Sequence, residues 1–533
     1  MDKQNIKVTM KQESDGLEKS AIVRLLSHDH EHNLQYLGPF SLGSITSAIK
    51  KLLSTSSPLE TISETSRADF YGPMKIPRAL NITFLKSFMT LAHEKYFLLE
   101  PYMLVETLKK NPSTRKNWEG FCLEMALGIG CRLVWLTRVK TYPQPQYYFN
   151  NAMQYLSKAE MKPLREIQAC ALIGAFVERC FTENSHFYMS SWELIGMALR
   201  KLIQYGYHKK RQLSLNTAIE YEGTKRIFWS IYCFEKALSL SLGRPSSIND
   251  DFIDIPLPIS FKMSDNPTEI QIRCLFEKQK MQQNNDKFDQ PVTEITILIK
   301  TTLMSKIRAK MQEILSSVDC GTSKNELFKQ ISDTLEKWHR ELPSKQVFNN
   351  ALEEKKSYES LEVLYYEAKL SLLLPMLMMR RSEESLLLND VCSAASGICG
   401  CYMKMYHESD LIFSVHALRT TFLAGMTILY FVKMFGHKKL KNVHISLRTC
   451  SSLLILFTER WPSFKIYQNL FDSLWDFIEL EKQTEDTTRD SKNTVKLLNN
   501  RSIKNIDEVV DPYANFRAHF NKNFWIMVLS HTC

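Results

Sequence analysis

The sequence predicts an all-α protein, a large multi-helix body, on three observations. Glycine and proline are scarce, 17 and 18 in 533 residues, so the apolar stretches run on without the breakers that tight turns between strands require. Within those stretches the apolar residues recur at steps of three and four, the spacing of one helix face, rather than alternating as in a half-buried strand. Hydrophobic residues make up 44% and charged residues 24%, the balance of a globular chain with a sizeable core, which excludes a fibrous protein or one disordered throughout. Length alone suggests roughly three to four domains of about 150 residues, which one large helical body can absorb.

The elements follow in order. Residues 1–30 are polar with one apolar patch, "AIVRLL", and read as a loose tail. The stretches 36–44 and 54–66 are rich in Ser, Thr, Gly and Pro, so residues 1–75 form a polar N-terminal tail and linker and the folded body starts near Ile76. Helical patterns cover 84–99, 120–139, 147–158, 164–181 and 191–208. In the last of these Trp192, Ile195, Leu199 and Ile203 share a face, and Gly206 stands where a left-handed closing glycine belongs.

Ile227, Ile231, Phe234, Leu238 and Leu242 then predict a buried helix over 222–242. Gly243 follows at once and Pro245 cannot continue the helix, so the stop is written in the backbone chemistry. Beyond it Asn249, Asp250 and Asp251 supply turn-forming side chains, and Pro256 and Pro258 hold Ile255 and Leu257 extended. The tail is expected to be a rigid strap across the helices. Helices resume at 293–317 and 324–341, and another runs from near Ser357 to Pro375; further ones cover 387–407, 411–435 and 446–479. Residues 76–345 are the core, 346–480 its C-terminal helical part, and 481–533, where both charge signs mix, a flexible tail. No tandem repeat at a fixed period is present.

The 68 Lys and Arg against 58 Asp and Glu leave a net charge of +10 with no long basic block, compatible with a nucleic-acid-associated protein but not diagnostic of one. The first twenty residues hold no apolar signal core, and the apolar runs 370–379 and 421–432 are too short to cross a bilayer, so no membrane association is expected. Twelve cysteines, none in a C-x-x-C pair, read as buried thiols in a reducing compartment. His28, His30 and His32 with Asp29 and Glu31 could bind a transition metal, but alternate positions in a polar loop lack partners to orient them, so a solvated loop is preferred. Cys392, Cys399, Cys401 and His407 are likewise read as core rather than as a metal site. Lys209, Lys210 and Arg211 fit a nuclear-import patch or a solvated helix end equally. No phosphate-binding, dinucleotide-binding, zinc-protease or nucleophile-elbow motif is present, so no enzyme is expected.

One stretch carries more than fold. "EGTKRIFWSIYCFEKALSLSLGRPSSINDDFIDIPLP" at 222–258 resembles the signature of the fungal-specific transcription factor domain, the regulatory middle homology region of fungal zinc-cluster transcription factors. The matching residues are Glu222, Lys225, Arg226, Phe228 and Trp229, then Gly243, Arg244 and Pro245, then Asp254, Pro256 and Pro258, with Gly206 and His208 of "YGYH" upstream. Arg244 is expected to cap its own helix and to pair with Asp250, Asp251 or Asp254; Glu235 stands where the family more often has Asp. Weaker likeness extends over roughly residues 36–480.

The resemblance implies a nuclear transcription regulator that is not an enzyme. Its partners would be the transcription machinery or co-regulators, with a small-molecule inducer and a homodimer among the options. The alternative is a DNA-independent helical corepressor derived from the same family. Family members bind zinc and read DNA through an N-terminal six-cysteine cluster. Here the first cysteine is Cys122, so no cofactor and no DNA-reading residue is expected in this chain, and DNA would be reached through a missing or partner module.

Overall fold

The computed structural model describes residues 24–27, 34–37 and 76–490, apart from 94–96, 138–142, 180–188, 211–217, 262–267, 283–290, 317–322, 353–357, 381–384, 410 and 436–442. The body is all-α. In the segment expected to be a loose tail, β1 (Arg24–Ser27) pairs antiparallel with β2 (Leu34–Leu37), Leu25 opposite Tyr36. The histidine array at 28–32 lies outside the described residues.

The N-terminal half contains α1 (Arg78–Phe88), closed by a π-helical turn over Met89–His93, then α2 (Pro101–Lys109), α3 (Asn117–Thr137), α4 (Pro145–Leu156), α5 (Pro163–Arg179), α6 (Ser191–Gln204) and α7 (Ala218–Leu242). After the strap come α8 (Glu269–Gln282), α9 (Glu294–Ser316), α10 (Ser323–Arg340), α11 (Lys345–Ala351) and α12 (Glu359–Arg380). The chain ends its described part with α13 (Ser385–His407), α14 (Val415–Phe435), α15 (Val443–Arg460) and α16 (Lys465–Asp490).

Local chemistry sets several of these boundaries. At the start of α6 the Ser190 hydroxyl accepts from the Glu193 N–H at 3.3 Å while the Glu193 carboxylate accepts from the Ser190 N–H at 2.7 Å, a reciprocal cap on two otherwise unpaired donors. Its end is closed by Gly206 at φ +69°. There the Tyr207 N–H bonds the Leu202 carbonyl at 2.8 Å and the Gly206 N–H the Ile203 carbonyl at 2.9 Å.

Several elements differ from the sequence expectation. The helix expected over 84–99 ends at His93, and Phe97–Leu99 form instead a buried, non-helical run before Pro101, where α2 begins. α12 continues through Pro375 to Arg380; the missing N–H removes one rung, and the buried Leu372, Leu373 and Leu374 in the preceding turn keep the helix seated. The single helix expected over 446–479 is broken at Trp461–Pro462, and its second half, α16, runs to Asp490, so residues 481–490 are helical rather than flexible. α14 contains a stretch apolar and long enough to cross a bilayer, and most of it is buried inside the protein.

Three buried apolar clusters result. The first joins α1 to α8 and the start of α9, the second joins α9 to α12, and the third joins α12 to α16. Because α9 and α12 each contribute to two clusters, the body cannot be divided without breaking a helix. The Arg460 Nε–H, donating to the Leu136 carbonyl at 2.6 Å, ties α15 to the end of α3, whose Leu136 side chain itself packs in the third cluster.

Close approach of α1 and α3 depends on one glycine. A Cβ at Gly130 would collide with the Phe84 carbonyl of α1, which is backbone and cannot rotate away, whereas a Cβ at Gly400 in α13 meets nothing within 4 Å. Gly130→Ala is therefore expected to destabilise by about 1–3 kcal/mol through overpacking, and Gly400→Ala to stabilise by roughly 0.5–1 kcal/mol through helix propensity. Thermal or denaturant unfolding of the two variants checks the opposite signs.

Candidate functional site

The signature residues meet where α7 passes under the strap, residues 243–261. α7 is buried almost all round between Tyr221 and Glu235, not on one stripe, so it is a central helix whose charged residues must find partners inside the protein. It starts at Ala218, four residues earlier than expected, because Glu269 from α8 accepts from the Ala218 N–H at 2.8 Å and supplies the negative charge that a helix N-terminus favours.

Glu222, Lys225 and Arg226 form a buried ion cluster. The Lys225 and Glu222 side chains are 0% and 1% exposed with Nζ and Oε2 2.7 Å apart, and the Arg226 Nε lies 3.4 Å from Glu222 Oε1. Burial pulls the Lys225 ammonium below its ordinary pKa range, against the attraction of Glu222. Further bonds go to the strap. Lys225 Nζ donates to the Leu257 carbonyl at 3.0 Å, the Trp229 indole N–H to the Pro256 carbonyl at 3.0 Å, and the Ile259 N–H to Glu222 Oε1 at 2.9 Å. Gln279 of α8 donates to the same Leu257 carbonyl at 3.0 Å. Lys225 also lies 4.2 Å from the Phe276 ring centre and Arg226 4.5 Å from that of Phe261, contacts that offset part of their desolvation.

The end of α7 matches the expectation. Gly243 has φ +62°, the Arg244 N–H bonds the Ser239 carbonyl at 2.8 Å and the Gly243 N–H the Leu240 carbonyl at 3.2 Å, which closes the helix through a left-handed glycine. Glu235, fully buried, then clamps the turn that follows: its carboxylate accepts from the Ser247 N–H at 2.7 Å and from the Ser246 and Ser239 hydroxyls at 2.9 Å. The second signature segment docks on the far end of the strap. The His208 carbonyl accepts from the N–H groups of Asp254 and Ile255 at 3.2 and 3.1 Å, and Asp254 Oδ1 accepts from the Lys210 N–H at 2.7 Å.

Arg244 has a seat that the sequence did not show. Its guanidinium lies 4.5 Å from the Trp192 ring centre, and that indole donates to the Ser239 hydroxyl at 3.2 Å. The Arg244 backbone N–H caps the helix by bonding the Ser239 carbonyl. Asp250 meanwhile takes the Tyr232 hydroxyl at 2.8 Å and Lys236 at 3.2 Å.

Phe228 and Trp229 are buried, Pro258 is buried, and Pro245 and Asp254 are exposed. The structure thus brings Gly206, His208, Glu222, Arg226, Phe228, Trp229, Gly243, Arg244, Asp254, Pro256 and Pro258 to one helix–strap junction. Sequence reasoning missed the clamping role of Glu235 and the cap from Glu269. A carboxylate at an interior position of an apolar helix was the available signal for the first; nothing local signals the second.

Chemically the junction neutralises and consumes its own polar groups, which suits a structural latch rather than proton transfer. Cys392, Cys399 and Cys401 are buried in the third cluster. Among the described residues no group of three or more His, Cys, Asp or Glu is placed to hold a metal ion.

Comparison with known proteins agrees with where the signature lies. Residues 85–340 match the model of the fungal specific transcription factor domain. The chain is similar to Protein STB5 of Saccharomyces cerevisiae, 24% identical over 67% of this chain and 48% of that protein. It is also similar to the negative regulator of pleiotropic drug resistance STB5 of Candida glabrata, 26% identical over 45% of this chain and 24% of that protein. With the thiamine repressible genes regulatory protein thi1 of Schizosaccharomyces pombe it shares 21% identity over 68% of this chain and 42% of that protein. The chain therefore spans less than half the length of each of these relatives.

The junction predicts a graded set of losses. Gly243→Val places a β-branched residue at positive φ, at a backbone cost of about 1–2 kcal/mol before any loosening of the strap. Glu222→Ala strands two buried cations and is expected to cost about 3–5 kcal/mol. Lys210→Ala, whose contact to Asp254 uses only its backbone, is expected to stay within about 0.5 kcal/mol of the parent. Denaturant unfolding gives the order, and limited proteolysis near residues 243–258 should rise in the first two variants alone.

Proposed function

We propose, from the premise that residues 85–340 of this chain are a fungal specific transcription factor domain, that the chain is the regulatory body of a fungal transcription regulator. It acts by changing conformation and contacts rather than by catalysis, within the nucleus, and its partners are the transcription machinery or co-regulators. The observation that carries this reading is the coincidence of the signature with the buried helix–strap junction: the buried Lys225 and Glu222 hold Leu257 and Ile259 in place, and Trp229 holds Pro256. The relatives named as regulators of drug resistance and of thiamine repressible genes support a regulatory role. The 533 residues contain no C-x-x-C pair, so DNA contact in this reading belongs to a module that these residues do not include.

A latch of this kind gives regulation a physical handle. The strap is held by hydrogen bonds to its backbone and by the buried Ile248, Ile255 and Ile259, and a partner or ligand that binds one arrangement better than another shifts the population by its difference in affinity and no more. Fused to a heterologous DNA-binding module in a reporter strain, the chain should change reporter output relative to the module alone, and Gly243→Val should alter that change at matched protein level. Unaltered output from both fusions, with soluble protein present, would contradict the regulatory reading. The purified chain by itself should retain duplex DNA only weakly and lose it steeply as salt rises; a footprint that distinguishes sites at physiological salt would contradict the absence of a DNA-reading element.

A further inference from the structure

A cavity of about 280 Å³ lies between the second half of α7, α9, α12 and the start of α14. Its wall takes residues from all three apolar clusters: Phe234 from the first, Met304 and Leu361 from the second, and Val363, Met405 and Phe413 from the third. The volume is roughly twice that of an apolar cavity known to take benzene, which leaves room for about a dozen non-hydrogen atoms. Most of the wall is apolar, as in small-molecule pockets generally.

One corner is polar. Glu367, buried, accepts from Arg308 Nη2 at 2.7 Å and lies 3.0 Å from His416 Nε2, and Arg308 Nη2 donates again to the Leu364 carbonyl at 3.0 Å. Burial opposes ionisation of Glu367, but His416 and Arg308 outweigh it and hold the carboxyl well below the usual range. Arg308 keeps donors in reserve: its Nε–H is buried without a hydrogen-bond acceptor, and its bonds to Leu364 and Glu367 both use Nη2, which leaves Nη1 for an incoming oxygen.

Charge selects among ligands. The lining basic groups are already committed: Arg308 and the His416 imidazole share Glu367, Arg179 lies 3.3 Å from Glu178, and Lys236 lies 3.2 Å from Asp250. A carboxylate entering here would lose its water without gaining an uncommitted cation, whereas a neutral oxygen needs only a spare donor. We propose that this cavity binds an uncharged, largely apolar small molecule of about a dozen non-hydrogen atoms whose single carbonyl oxygen accepts from the Arg308 guanidinium. Such a molecule would touch all three clusters at once and stabilise their packing together. The inference concerns binding alone and does not rest on the transcriptional reading.

Three probes of one shape test it on the purified full chain by titration calorimetry and thermal unfolding: 2-acetylnaphthalene, 2-ethylnaphthalene and 2-naphthoate. The ketone should bind at one saturable site and raise the unfolding temperature. The hydrocarbon should bind roughly 2–10-fold more weakly, the equivalent of one hydrogen bond, and the carboxylate more weakly than the ketone. Ala309→Phe and Ser305→Leu, which each fill the cavity from α9, should abolish ketone binding while far-UV circular dichroism is retained. The idea is overturned if the ketone shows no saturable binding up to its solubility limit, if the hydrocarbon or the carboxylate binds as tightly, or if binding survives in a folded filling variant. The probe series on the unaltered chain decides even where a variant fails to fold.

Discussion

Everything in the N-terminal half is arranged around the burial of three charges on one helix. Glu222, Lys225 and Arg226 sit where α7 is enclosed on every side, and a charge there is tolerated only if each of its hydrogen-bonding positions is met. Glu222 meets both cations, strap backbone takes Lys225 and gives the Ile259 N–H to Glu222, and the Phe276 and Phe261 rings lie against the two cations. The strap therefore cannot leave without stranding charges, and the charges cannot be screened without the strap. This mutual dependence adds to the burial of Ile248, Ile255 and Ile259, which seat the strap in the first apolar cluster.

The consequence propagates through shared elements. α7 also carries Glu235, which fixes the turn after Gly243, and Tyr232 and Lys236, which hold Asp250 at the strap's first bend. On its other side Lys306 of α9 lies 4.7 Å from the Trp229 ring centre, so the helix that begins the second cluster packs against the residue that bonds Pro256. α9 then supplies Arg308 to the Glu367 corner, where α12 and α14 meet it. A change at the strap and a change at that corner are thus separated by two residues of one helix, between Lys306 and Arg308.

Much of this was legible in the residues. The three-and-four spacing from Ile227 to Leu242 and the Gly-Arg-Pro stop give the end of α7 to the residue, because a left-handed glycine followed by proline has few other uses. Gly206 was legible for the same reason. What escaped depends on tertiary partners. α8 buries only Ile272, Phe276 and Gln279 among those of its side chains that are described, too thin a stripe to stand out from a polar sequence, and α11 buries only Phe348 and is held by the Ser344 cap. Pro375 reads as a stop in the sequence, yet packing of the leucines before it outweighs one lost hydrogen bond. The seat of Arg244 on Trp192 could not be foreseen, since the two residues belong to different helices and nothing in their spacing links them.

The central claim is that strap and ion cluster form one cooperative unit, and native-state hydrogen exchange tests it most directly. The N–H groups of Ile255 and Ile259 and the Trp229 indole N–H should exchange with the same opening free energy as the amides in the middle of α7, and in Glu222→Gln all of them should lose protection together. Strap protons that exchange through a low-energy local opening, at rates indifferent to Glu222→Gln, would show that the strap merely rests on the helix and would contradict the account.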